Sequence, residues 1–134
     1  MKTRTFECVL TELDSIRLAH LPAEGRETGS GIDELIDNAR IVPSRSVAPD
    51  VVTMYTQFLL QDADDGNVRT MTVCYPDDAE PSEGFISVLS PLGMSVIGRP
   101  LGAVARWVCP TGKERAAEVS AILFQPEASG DFVT

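Results

Sequence analysis

The sequence predicts an α+β protein in which a short N-terminal antiparallel helical hairpin precedes an antiparallel sheet domain carrying one short helix. Three observations predict it. Apolar residues recur at helical spacing before Pro49 and at strand-like alternation after it. Asp64-Asp65-Gly66-Asn67 stands between two runs rich in β-branched and aromatic residues, where a hairpin turn belongs. Ser90-Pro91, with Gly98 behind it, supplies the cap, the first-turn proline and the stop of a single short helix.

The elements follow in order. Phe6, Cys8 and Leu10 alternate and suggest a strand within residues 1–10. Thr11 is suited to cap a helix that places Leu13, Ile16 and His20 along one face. Residues 22–30 read as a glycine-containing tip loop. Ser30 then caps a second helix, in which Ile32, Leu35, Ile36 and Ala39 follow the i, i+3, i+4, i+7 rule, and Pro43 ends it. Two amphipathic helices joined by a tight loop pack face to face as an antiparallel hairpin. Residues 1–47 form this arm and residues 48–134 the sheet domain. Within the latter, strands are expected over 51–61, 68–75, 85–89, 103–109 and 115–124, with the Pro91 helix between the third and fourth. Pro76 to Glu83 is an acidic loop, and Pro110-Thr111-Gly112-Lys113 a turn.

Composition bounds the function. With 134 residues and 43% hydrophobic content, the chain can bury a core without metals or disulfides. Lys plus Arg is 11 against Asp plus Glu at 20, a formal charge of −9. Residues 1–50 and 51–134 are each acidic, so neither resembles a phosphate-tracking surface, and autonomous nucleic-acid binding is not expected. A basic groove on a protein partner would attract such a molecule. Cys8, Cys74 and Cys109 are odd in number and lack CxxC spacing, as befits a reducing cytoplasm. Glu7 and Glu12 interrupt any apolar region after the basic start, so no signal peptide is expected. Nor does any run approach the roughly 18 apolar residues of a membrane span.

No catalytic device is legible, and neither a metal nor another cofactor is expected. His20 is the only histidine, without a partner motif for nucleophilic catalysis, and its default role is packing or exposure. One histidine and three scattered cysteines do not make a zinc site. Counted from Asp62, the sixth residue is Asn67 and the twelfth Val73, so the acids there are not a calcium loop. Gly112-Lys113 has Trp107 where a phosphate loop needs glycine. Asp77, Asp78, Glu80 and Glu83 read as a solvated loop. Phe58, Tyr75, Phe85, Trp107 and Phe124 fall in expected strands, where packing is the default, and without interleaved basic residues they form no base-stacking platform.

The most specific residues begin at Val51. They are Val-Val-Thr-Met at 51–54, Val-Arg-Thr at 68–70 and Val-Cys-Tyr-Pro at 73–76, then Ile-Ser-Val-Leu-Ser-Pro-Leu-Gly-Met-Ser-Val-Ile-Gly at 86–98. Leu-Gly at 101–102, Trp-Val-Cys-Pro-Thr-Gly at 107–112 and Phe-Gln-Pro-Glu-Ala-Ser-Gly-Asp-Phe at 124–132 complete them. In this order and spacing they resemble the C-terminal domain of the GreA/GreB transcription elongation factors. The Gln-Pro-Glu-Ala-Ser-Gly-Asp tail is similar, more narrowly, to the Rnk type, the regulators of nucleoside diphosphate kinase. About two-thirds of the chain shares these residues; the helical arm agrees in layout only.

The resemblance implies an FKBP-like fold for residues 48–134 and docking on RNA polymerase at the rim of the secondary channel. Ser90, Pro91, Leu92 and Met94 occupy the family's partner-binding positions, although Pro91 also serves simply to start the helix and Ile97 can face the core. Gre factors insert a long coiled coil whose acidic tip holds a catalytic metal. Here each arm helix is expected to have about ten residues, about 15 Å at 1.5 Å per residue. Glu24 and Glu27 lie in the tip loop, but the Gre catalytic roles do not carry over to an arm this short. The reading is therefore a non-enzymatic binding regulator, with effects on nucleoside diphosphate kinase levels. Two alternatives stand beside it: a true elongation and cleavage factor, and an FKBP-like isomerase, although fold alone does not carry function.

Overall fold

A computed structural model describes residues 8–21 and 31–130. The tip loop with Glu24 and Glu27, the Ser30 cap, Phe6 and the last four residues lie outside that range. In chain order the elements are β1 (Val9–Thr11), α1 (Glu12–Ala19), α2 (Gly31–Asn38), β2 (Arg40–Val42), β3 (Gln57–Asp62), β4 (Val68–Cys74), β5 (Phe85–Ser87), α3 (Pro91–Val96), β6 (Val104–Val108) and β7 (Glu114–Phe124). The class is α+β: the described residues form a five-stranded sheet in the order β5-β4-β3-β7-β6, a two-stranded β1–β2 ribbon, and three short α-helices.

Thr11 caps α1 as its sequence suggests, its hydroxyl accepting the Asp14 N–H at 3.0 Å. The buried face differs from the expected one. Leu18 and Asp14 are buried, whereas Ile16 is 57% exposed and His20 is exposed. The helix turns its Asp14–Leu18 stripe inward, carrying Asp14 in beside Leu18, and the Met54 N–H partly offsets the cost by donating to its carboxylate. In α2 the expected face holds, with Ile32 fully buried and Leu35, Ile36 and Ala39 packed against the core. The helix stops at Asn38, however, and Arg40–Val42 turns into a strand parallel to β1, so Pro43 ends a strand and not the helix.

The sheet is built around the β3–β4 hairpin. Asp62 and Asp65 carboxylates accept backbone N–H groups of Asp64, Asp65 and Asn67, and Gly66 takes φ 73°, so the turn residues do what their chemistry suits them for. The expected strand over 51–61 begins only at Gln57. Residues 53–56 instead form a turn in which the Thr56 hydroxyl accepts the Thr53 N–H at 3.0 Å and Tyr55 sits at φ 66°. Two register shifts between β3 and β7 bend the pair. The sheet is mixed, not wholly antiparallel, since β5 runs parallel to β4. Two 3-10 turns opened by Pro76 and Pro81 carry the chain across and return it beside β4 in the same direction.

One face of the sheet supplies Phe58, Leu60, Val73, Ala105, Ala117 and Val119 to the core, joined by Val96 and Ile97 from α3 and its C-cap. Leu10, Leu18 and Ile32 belong to the same cluster, so the N-terminal helices and the sheet share continuous apolar packing.

Candidate functional site

The site is organised by α3. Ser90 caps it, its hydroxyl accepting the Gly93 N–H at 3.0 Å and donating to the Ser87 carbonyl at 2.7 Å. Pro91 holds the first helical position, where its missing N–H costs nothing. Gly93 is buried against β5, and a Cβ there would stand 2.0 Å from the Ser87 oxygen. Only glycine lets the helix cross this close. Gly98 ends the segment at φ 77° and ties three parts together. Its N–H donates to the Val52 carbonyl at 2.7 Å, and its carbonyl accepts the Val9 N–H at 2.9 Å.

Beside α3 an open groove of about 560 Å³ runs between α2, α3 and the edge strand β6. Pro91, Met94 and Ser95 form its α3 wall, Glu34, Leu35 and Asn38 its α2 wall, and Arg106, Trp107 and Val108 the strand side; Cys8 and Arg99 complete it. The floor is apolar, and the rim carries one carboxylate and two guanidinium groups.

Of the four positions singled out from sequence, Pro91 is exposed on the groove and Met94 lines it half-buried. Ser90 is occupied by capping. Leu92 lines a second cleft, under the sheet, and not the groove. Sequence reasoning missed Leu35, Asn38 and Trp107 as groove residues. Helical and strand periodicity places Leu35 and Trp107 on apolar faces but gives no signal for Asn38, and nothing in a linear pattern shows that α2 and β6 meet across α3.

The buried polar seam was likewise illegible. The Thr53 hydroxyl donates to the Glu127 carboxylate at 2.6 Å and lies 2.7 Å from the Thr56 hydroxyl. The Gln125 side-chain amide donates to the Ala48 and Val51 carbonyls, each at 2.8 Å. The tail motif therefore clamps the entry to the sheet. Asp14 is pushed up to about 6, chiefly by burial, with the Met54 N–H opposing and the Glu127 charge adding to the rise. Tyr55, whose hydroxyl donates to Asp78, is pushed up to about 12 by burial and by that bond.

His20 shares its helix end with the Ile16 carbonyl, 2.7 Å from Nδ1. Among the described residues, no group of three or more His, Cys, Asp or Glu side chains could hold a metal, and the three cysteines are free thiols. No helix among those residues is long and apolar enough to cross a membrane.

Fold and motifs together define a class. Residues 47–124 match the family described as transcription elongation factor, GreA/GreB, C-term, and the chain belongs to that family. Within it, the similarity to one member spans nearly the whole chain. Over 129 residues the sequence is 30% identical to the regulator of nucleoside diphosphate kinase of Escherichia coli strain K12, covering 93% of this chain and 95% of that protein. Against transcription elongation factor GreA of Solidesulfovibrio magneticus, identity is 39% over 72 residues, 54% of this chain and 44% of the relative. A solved GreA/GreB elongation factor from Nitrosomonas europaea superposes with a TM-score of 0.70 at 25% identity, over 88% of this chain and all of the other. The chain is thus a Rnk-like member of a transcription-associated family, and these relatives are named as regulators and elongation factors, not as enzymes.

Proposed function

We propose that this protein is a cytoplasmic transcription regulator that binds RNA polymerase at the rim of the secondary channel and does not stimulate transcript cleavage. The groove beside α3 carries the reading. It presents exposed Pro91 and half-buried Met94, two of the family's contact positions, over an apolar floor. Leu92 contributes from beneath by packing α3 onto the core, and Ser90 by capping it. In this reading residues 1–47 are an arm with antiparallel helices, and residues 48–134 an FKBP-like docking domain.

Arm length supports the second half of the proposal. Over the described residues helices α1 and α2 have 8 residues each, about 12 Å at 1.5 Å per residue. Metal-assisted hydrolysis needs ligands within about 2–2.6 Å of the ion, so an arm one helical turn short delivers nothing. The near full-length similarity to a regulator, against 44% coverage of GreA, points the same way. Competition at the channel mouth needs only the docking surface.

A backtracked polymerase complex tests this. Added alone, the protein leaves the RNA length unchanged; added with a Gre factor, it slows cleavage. Cleavage by the protein alone, lost on Glu24→Ala or Glu27→Ala, would establish the elongation-factor alternative instead.

A further inference from the structure

The second cleft, on the face of the sheet that packs against α3, is built unlike the rest of the core. Along this face residues opposite one another across the ladder share a side. Leu60 faces Arg69, and Trp107 faces Arg115. Two arginines, exposed Arg69 and half-buried Arg115, thus share the hairpin end of a face that is otherwise apolar. The cleft they line holds about 180 Å³, with Met71 and Leu92 completing its apolar wall.

Its polar groups are incompletely matched. Asp62 pairs with the Nη2 of Arg115, and this contact holds the Asp62 carboxyl below its usual range. No acceptor among the described residues reaches the buried Nε of Arg115, although a guanidinium offers five donors in a fixed fork. Arg69 adds a second cation, so the lining holds two guanidinium groups and one carboxylate in a protein whose net charge is −9, with the Asp64 charge acting on Arg115 from the neighbouring turn. Such a spot is anion-selective by its local chemistry, against the field of the whole molecule.

Size narrows the ligand. A cavity of about 150 Å³ accommodates benzene, so 180 Å³ takes one ring-sized apolar body. Trp107 offers an aromatic wall and Met71 a polarisable thioether for it. We infer that this cleft binds a small monocyclic aromatic carboxylate, its ring against Trp107 and Met71 and its carboxylate between Arg69 and Arg115.

The chain has a single tryptophan, so one indole N–H resonance reports on the cleft. Because Trp107 also borders the groove beside α3, variants must separate the two sites. Arg69 lines only the cleft and Arg106 only the groove. Titrating the folded protein with sodium benzoate at constant ionic strength is expected to shift the indole peak saturably, with benzamide binding at least about ten-fold more weakly for want of a charge. Arg69→Gln, at an exposed position, should weaken benzoate by about ten-fold, and Arg106→Gln should leave it unchanged. A shift that does not saturate, equal binding of benzamide, an unaffected Arg69→Gln protein, or a loss confined to Arg106→Gln would each overturn the assignment.

Discussion

The Asp14 carboxylate accepts the backbone N–H of Met54 at 3.2 Å, joining the first helix to the segment that leads into β3. Asp14 is 2% exposed, and burial lifts its carboxyl from 3.8 to about 6. A group that binds its proton more tightly when folded stabilises the fold below the unfolded value, and that stability is lost as pH rises through the folded one. Between pH 4 and pH 7.5 the ionisation therefore costs about 2–3 kcal/mol, at 1.36 kcal/mol per pKa unit. Asp14→Asn keeps an acceptor for Met54 and removes the charge. Urea unfolding at pH 7.5 should show it more stable by about 2–3 kcal/mol, with the gain vanishing near pH 4. A variant less stable than wild type at pH 7.5 would contradict this origin of the shift.

The tail is a clamp as well as a family signature. Gln125 is 4% exposed, and its amide satisfies two carbonyls that precede the sheet. Gln125→Ala removes the side-chain donor of the buried Val51 carbonyl, at about 1–3 kcal/mol, whereas the Ala48 carbonyl keeps the Val51 N–H at 3.3 Å. Equilibrium denaturation should register a loss of about 1–3 kcal/mol. A loss under about 0.5 kcal/mol, the level of an ordinary surface change, would mean that water replaces the amide.

Gly93 is the tightest point of the candidate site. An alanine methyl would meet the Ser87 carbonyl at 2.0 Å, against backbone that cannot rotate away. Gly93→Ala should cost about 3 kcal/mol or more and displace α3. The thermal midpoint checks the first, and amide shifts along Pro91–Val96 check the second. An unchanged midpoint would show that α3 has room to lift from β5.

What the sequence made legible follows the reach of each signal. Ser90-Pro91…Gly98 and Asp62…Asn67 encode local hydrogen bonds, so α3 and the β3–β4 turn appear where their residues place them. The Ile32–Ala39 periodicity found the packed face of α2. On α1 the same rule failed, because it treats an aspartate as surface while Asp14 is held inside by a donor 40 positions away. The three-residue ribbon strands are too short for alternation to register, and the parallel β4–β5 pairing depends on a crossover whose acids and prolines read only as loop. At the candidate site, Pro91 and Met94 were readable from the resemblance. Their neighbours Leu35 and Trp107 come from distant elements that only the assembled fold brings together.

We propose that the protein docks on RNA polymerase through the groove beside α3. The most direct test is the affinity of core RNA polymerase for the wild-type protein and for Pro91→Arg, each first shown to be folded by circular dichroism and thermal melting. Pro91 is exposed, so an arginine there adds bulk and charge to the groove without entering the core. Wild-type binding that weakens by about ten-fold or more in Pro91→Arg, a loss of about 1.4 kcal/mol, is the predicted result. Absence of wild-type binding, or equal affinity in a folded Pro91→Arg protein, would contradict the account.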